Sequence, residues 1–239
     1  MSLIIGLTGG IGSGKTSAAK MFADLCADIV DTDVIAHELT QPRGAAMATI
    51  RQIFAKKFIA EDGALNRKEM RSLVFSDGES RRKLEAILHP LIRVEAARRV
   101  ALFSASYGII VVPLLLETGG YQEMIHRILV VDCNEHDQVA RTIARTGLDA
   151  QTVRAIMATQ LPRNERLQQA DDVIANDAHM LHLRQQVEAL HKNISRWRTK
   201  VDFLISASVT DQFLICIILF RRAISEYPAH SVPPFGSLL

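Results

Sequence analysis

The sequence predicts an α/β fold built on a five-stranded parallel sheet, and three observations predict it. Five short apolar runs, Leu3–Thr8, Asp28–Asp31, Ile109–Pro113, Arg127–Asp132 and Asp171–Asn176, are β-branched or Leu-rich without clear alternation. Strands covered on both faces read this way. Helical patterns separate the runs, which is the signature of βαβ units. A glycine-rich loop joins the first run to the first helical stretch.

The elements follow in order. Leu3–Thr8 reads as a buried strand, and after the loop Ala18, Ala19, Met21 and Phe22 mark a helix. A parallel crossover needs only about a dozen residues, yet the second and third strands are separated by the whole of Val34–Tyr107. That stretch carries Arg, Lys and Glu at helical spacing, so it is expected to be a helical insertion, about 34–107, beside a core of about 1–33 and 108–200. Within it, His89 precedes Pro90, and proline disfavours a helical conformation in the residue before it. A bend or a helix start is expected there. Beyond Asp132 the pattern predicts helices over Glu135–Arg145, over Asp149–Gln160 after a break at Gly147, from Pro162 to about Ala170, and over about Ala178–Arg196. The remaining 201–239 form a tail of different composition. Its apolar run, Phe213–Phe220, is far shorter than the roughly twenty residues of a membrane-spanning helix, and extending it back meets Asp211 and Asp202.

Composition narrows the classes of function. The chain is 48% hydrophobic and 23% charged, with only 5% aromatic residues. So few rings disfavour a surface that binds nucleic acid by stacking. A net charge of +2 is too small to imply a polyanionic or membrane partner. Cys26, Cys133 and Cys216 form no C-x-x-C pair, so no zinc or redox site is readable. The sparse cysteines and the absence of a signal-like segment before the loop predict a cytoplasmic protein.

The strongest signal is Gly9-Gly10-Ile11-Gly12-Ser13-Gly14-Lys15-Thr16, which matches G-x-x-x-x-G-K-[ST] between a strand and a helix. Glycines let backbone N–H groups close around an anion with no Cβ in the way. The following helix points its positive end at the same phosphates. Lys15 would reach the β- and γ-phosphates, and the Thr16 hydroxyl would bind Mg²⁺. A tight turn without a ligand needs one or two glycines, not four followed by Lys and Thr.

A phosphate loop does not separate kinases from GTPases or ATPases. The guanine-reading N-K-x-D is missing. Asp132 resembles a Walker B aspartate on pattern, although for Asp132 alone a polar strand end is the better explanation. Asp31-Thr32-Asp33 closes the second strand. Ligands of open parallel sheets bind beyond such strand ends, where a carboxylate can take a proton from an acceptor hydroxyl. The same residues are good helix caps.

These residues, taken together, resemble the dephospho-CoA kinase family. GLTGGIGSGKT is followed by the D-x-D with Val34-Ile35-Ala36, then by His89-Pro90-Leu91-Ile92 and Pro113-Leu114-Leu115-Leu116-Glu117. Arg141-Thr142-Ile143-Ala144-Arg145 is similar to the family's lid, and Gln160, Arg166 and Ala170-Asp171-Asp172-Val173-Ile174-Ala175-Asn176 to its late run. The match spans about Ile4 to Arg196. Cys26 departs from it, standing where the family often has glycine, and 201–239 has no counterpart.

The resemblance implies a P-loop kinase core with a helical substrate-binding insertion and a lid. It implies transfer of the ATP γ-phosphate to the ribose 3′-hydroxyl of dephospho-CoA with Mg²⁺ as cofactor, in a monomer that binds neither nucleic acid nor membrane. Asp33, Lys15 and Arg141 are the expected catalytic residues. ATP is expected on Gly10, Ile11, Gly12, Ser13, Gly14, Lys15, Thr16, Arg141 and Asn176, and the acceptor on Thr8, Asp33, His89, Leu115 and Glu117. Arg163 and Arg166 read as surface residues. Another small-molecule kinase, such as a nucleoside or nucleoside monophosphate kinase, is the alternative, and an ATPase without an acceptor is a further one.

Overall fold

The computed structural model describes residues 2–177 and 179–207, the segment 197–207 by its backbone. In chain order the elements are β1 (Leu3–Thr8), α1 (Lys15–Asp24), β2 (Asp28–Asp31), α2 (Thr32–Leu39), α3 (Met47–Ile53), α4 (Arg67–Ser76), α5 (Gly78–Val100), β3 (Tyr107–Val111), α6 (Leu115–Thr118), β4 (Arg127–Asp132), α7 (Glu135–Thr146), α8 (Ala150–Ala158), α9 (Arg163–Gln168), β5 (Asp172–Ala175) and α10 (Met180–Ala207). The strands form a single sheet in the order β2-β3-β1-β4-β5. β1 pairs in parallel with β4, Leu7 opposite Leu129, and β4 with β5, Leu129 opposite Asp172. Every residue of β1 and of β3 is buried, which is why neither alternates polar and apolar positions.

The chain divides into two compact units. The first comprises Met1–Ile29, Ser104–Ile109 and Pro113 onward, and the second Val30–Phe103 with Ile110–Val112. In the first, α1 and β5 pack against α10, whose Leu183, Val187 and Ile194 are buried. The His191 ring of α10 lies 2.9 Å from the hydroxyl of the buried Tyr107 through Nδ1. Arg127 and Asp172 clip β4 to β5 at 2.9 Å. In the second unit, Ala46, Met47, Ile50, Phe54, Phe58 and Met70 form a core, against which Leu84, Ile87, Leu88 and Leu91 of α5 pack.

Capping side chains set the helix starts. Asp31, Asn66, Asp77, Asn134 and Asp149 each accept a backbone N–H of the first turn of α2, α4, α5, α7 and α8, satisfying donors that a helix leaves open.

The structure departs from the sequence expectations at several places. The third strand spans Tyr107–Val111, not Ile109–Pro113, because Pro113 has no N–H to give a ladder. Glu117 lies beyond that strand, in the short helix α6. α5 runs unbroken through Pro90, where a bend or a start was expected. The last helix reaches Ala207, past the expected end at Arg196 and into the segment read as tail. The apolar run Phe213–Phe220 lies outside the described residues. No helix among the described residues is long and apolar enough to cross a membrane.

Candidate functional site

The phosphate loop is the turn between β1 and α1, held in shape by its own backbone and by side chains from distant segments. Ser13 N–H donates to the Gly10 carbonyl at 3.1 Å. Lys15 Nζ donates to the Gly9 and Gly10 carbonyls at 2.8 and 2.9 Å, which suspends the ammonium over the turn. Gly14 has φ 100°, a conformation that costs an L side chain, and a Cβ there would collide with Asn176 Nδ2. The Thr16 hydroxyl belongs to an exposed residue in the first turn of α1.

Four side chains grip the loop from outside. Asn176, buried at the end of β5, donates from Nδ2 to the Ser13 carbonyl at 2.7 Å. Gln160 accepts the Ile11 N–H at 3.0 Å. Gln138 of α7, itself bonded to the Cys133 carbonyl at 2.6 Å, and Arg166 of α9 both lie where a side chain on Gly10 would have to go. Asn176, expected among the ATP-binding residues, thus braces the loop backbone.

Arg166 corrects the sequence reading most clearly. It was expected on the surface but is only 6% exposed, with Nη2 donating to the Leu161 carbonyl at 2.6 Å. Burial lowers its guanidinium from the ordinary value, while Glu117 and Asp132 oppose that effect. A buried cation beside a phosphate loop is a stored positive charge, since arginine does not give up its proton. Nothing in the local sequence marks it, because a solvated helix start and a buried one share the same residue types.

Arg163 also has a partner. Its Nε lies 2.9 Å from Asp132 Oδ1 and its Nη2 2.6 Å from Oδ2, a bidentate pair. Both oxygens of the Walker B-like aspartate are therefore occupied. Arg163 and the Leu161 segment border a cleft of about 850 Å³ among α7, α8 and α9, lined also by Val139, Ile143, Arg154, Met157 and Gln160. Arg141 points elsewhere: helical spacing sets it on the opposite face of α7 from Val139 and Ile143. Its Nη1 lies 3.4 Å from Cys133 Sγ and its Nη2 3.7 Å from Asp137. The Cys133 thiol is pushed up, chiefly by burial, with Arg141 opposing.

The expected acceptor residues separate into two groups. Thr8 is buried and gives its hydroxyl proton to the Pro113 carbonyl at 3.2 Å. Leu115 is 4% exposed and its Cδ2 lies 2.7 Å from where a Cβ on Gly6 would stand. Its side chain is thus core, which leaves only its backbone for a ligand. Exposed Glu117 accepts the Leu161 N–H at 2.9 Å. In the second unit, Asp31 caps α2 by accepting the Asp33 N–H at 2.8 Å. Asp33 is thereby the exposed member of the pair. His89 is half-buried within α5.

Among the described residues no cluster of His, Cys, Asp and Glu can hold a metal alone. Magnesium bound with a nucleotide does not need one, since it keeps waters and phosphate oxygens as ligands. The exposed Thr16 hydroxyl beside the loop fits that donor set.

A family model for dephospho-CoA kinase matches residues 3–182. The chain is 62% identical over 190 residues to the dephospho-CoA kinase of Nitrosospira multiformis, covering 80% of this chain and 95% of that one. It is 55% identical over 192 residues to that of Nitrosomonas europaea, with the same shares covered. Among solved structures it is similar to TT1252 of Thermus thermophilus, with TM-score 0.69 and 29% identity over 82% of this chain and 97% of that one. A dephospho-CoA kinase of Campylobacter jejuni shares the fold, with TM-score 0.62 and 24% identity over 82% of this chain and 98% of that one.

Proposed function

The chain belongs to the dephospho-CoA kinase family, and on that premise we propose that it transfers the γ-phosphoryl group of ATP to the ribose 3′-hydroxyl of dephospho-CoA, the final step of coenzyme A synthesis. The observation that carries this reading is the phosphate loop, braced by Asn176, Gln160, Gln138 and Arg166, within a sequence that matches the family over most of its length.

In this reading the loop amides from Gly10 to Thr16 and the N-terminus of α1 hold the ATP phosphates. Lys15 exchanges its carbonyl partners for phosphate oxygens and offsets their charge. Arg141 and Arg166 supply further positive charge as it shifts to the leaving oxygen. Thr16 would hold Mg²⁺, which when bound neutralises the phosphates. Asp33 orients the 3′-hydroxyl and takes its proton as the new O–P bond forms and the bond from Pγ to the bridging oxygen breaks. His89 and Glu117 contact the acceptor. The reaction belongs in the cytoplasm, and a monomer is sufficient for it.

The test is turnover with ATP against a panel of dephospho-CoA, nucleosides and nucleoside monophosphates. Phosphorylated dephospho-CoA, as the preferred product, is expected. A nucleoside as preferred acceptor would overturn the acceptor assignment, and phosphate release without product would overturn the kinase assignment. Lys15→Met should nearly abolish transfer at an unchanged melting temperature; a variant with normal turnover would contradict the nucleotide site.

A further inference from the structure

In the second unit, Arg67 opens α4 and reaches the end of α2, where its Nη2 donates to Thr40 Oγ1 at 2.6 Å and to the His37 carbonyl at 3.3 Å. Both acceptors are neutral. Arg71 follows one helical turn later, on the same face of α4. Neither arginine lies within ion-pair distance of a carboxylate among the described residues. Other arginines of this unit differ: Arg98 and Arg99 are both bonded to Glu95, and Arg99 also to Glu38.

Arg67 is held close to two charges of opposite sign. Partial desolvation lowers its guanidinium from the ordinary value, the Arg71 charge lowers it further, and the Asp33 carboxylate opposes both. Two like charges kept together cost stability, and Asp33, the smallest of the three influences on Arg67, offsets that only in part, so an anion between the two arginines would stabilise them. The two neutral bonds fix the fork of Arg67 in one orientation and leave it N–H groups to give.

We propose that Arg67 and Arg71 form the subsite that grips the diphosphate of the acceptor. The proposal rests on the assignment of Asp33 to the acceptor hydroxyl. In dephospho-CoA the 3′-hydroxyl and the 5′-diphosphate hang from one ribose, separated by C3′, C4′ and C5′. A base that reaches the hydroxyl therefore has the diphosphate within a side chain's length. Asp33 and Thr40 lie at the two ends of α2, and Arg67 is anchored at the Thr40 end while still sensing the Asp33 charge. Guanidinium forks match phosphate oxygens in pairs, and the N-terminus of α4 adds positive potential on the same side. A nucleoside acceptor lacks a diphosphate, so this pair also sets substrate choice.

The test is titration of the full chain with dephospho-CoA in the absence of ATP, for Arg67→Gln and Arg71→Gln. Each is expected to weaken binding by about 10–100-fold, the range for a charge-assisted hydrogen bond, while KM for ATP holds. Arg71 makes no hydrogen bond or ion pair among the described residues, so Arg71→Gln decides the matter even if Arg67→Gln loosens α2. Arg71→Lys should recover part of the loss. Unchanged affinity in Arg71→Gln, or a loss matched by an equal loss of ATP affinity, would overturn the subsite. A wild-type chain that phosphorylates nucleosides and ignores dephospho-CoA would instead overturn the acceptor assignment, which separates the two failures.

Discussion

At the scale of single residues, the pair Asp31 and Asp33 shows how backbone geometry divides two identical side chains. Asp31 spends an oxygen on the Asp33 N–H as the cap of α2, while Asp33 stays exposed. Asp33→Asn should therefore lower turnover by about 10²–10⁴-fold, the usual cost of losing a general base, or roughly 3–5 kcal/mol of barrier. ATP binding should hold. Titration with ATP beside turnover checks this, and joint loss of both would make Asp33 part of the metal site instead. The sequence puts Asn176 among the expected ATP-binding residues, and the structure adds what its side chain holds. Its amide closes onto the Ser13 carbonyl, so Asn176→Ala leaves a buried acceptor bare at a cost of about 1–3 kcal/mol. A denaturation midpoint equal to that of the parent would refute the brace. Arg166 was misread because burial is a property of the surrounding fold and leaves no mark on the residues beside it.

Among the elements, α1 and α5 show where local rules hold and where packing overrides them. α1 ends in a Schellman turn: Ala27 N–H reaches the Phe22 carbonyl at 3.1 Å and Cys26 N–H the Ala23 carbonyl at 2.9 Å. That turn wants a left-handed residue, usually glycine, and Cys26 takes the position with φ 65°. The family difference noted in the sequence thus has a conformational cost. Left-handed backbone costs a non-glycine residue about 1–2 kcal/mol, offset in part by the greater unfolded-state freedom of glycine. Cys26→Gly should raise the unfolding free energy by about 0.5–1 kcal/mol, read by denaturant titration; a loss of stability would refute the reading. In α5 the local rule gives way. Pro90 sits mid-helix at a penalty of about 3 kcal/mol. Leu84, Ile87, Leu88 and Leu91 on either side of it pack on one core, and that burial offsets the penalty. Pro90 and Ala86, whose carbonyl loses its partner, are both exposed, so water meets the open acceptor.

At the scale of the whole molecule, one histidine links packing to pH. His126, just before β4, accepts the Ile4 N–H through Nδ1 at 3.0 Å, and burial holds its imidazole below the ordinary 6.5. The unfolded chain therefore takes up the proton first. The stability that His126 contributes is complete above the unfolded value of 6.5 and is lost as the pH falls toward the folded one. Melting temperature should drop between about pH 7 and 5, and His126→Asn, which keeps an acceptor but cannot titrate, should flatten part of that drop. An unaltered pH profile would remove His126 from the account. The order of strands and helices, the phosphate loop, the capping character of Asp31-Thr32-Asp33 and the family resemblance were all determined by the sequence alone. They rest on residues adjacent in the chain: apolar runs, glycines at fixed spacing, and Asp ahead of a helix. The tertiary structure alone decided that α5 runs through Pro90, that Leu115 turns into the core, that Arg163 takes both oxygens of Asp132, and that Asn176, Gln160, Gln138 and Arg166 clasp the loop. Each of these depends on partners remote in sequence, whose distances and burial exist only once the chain has folded.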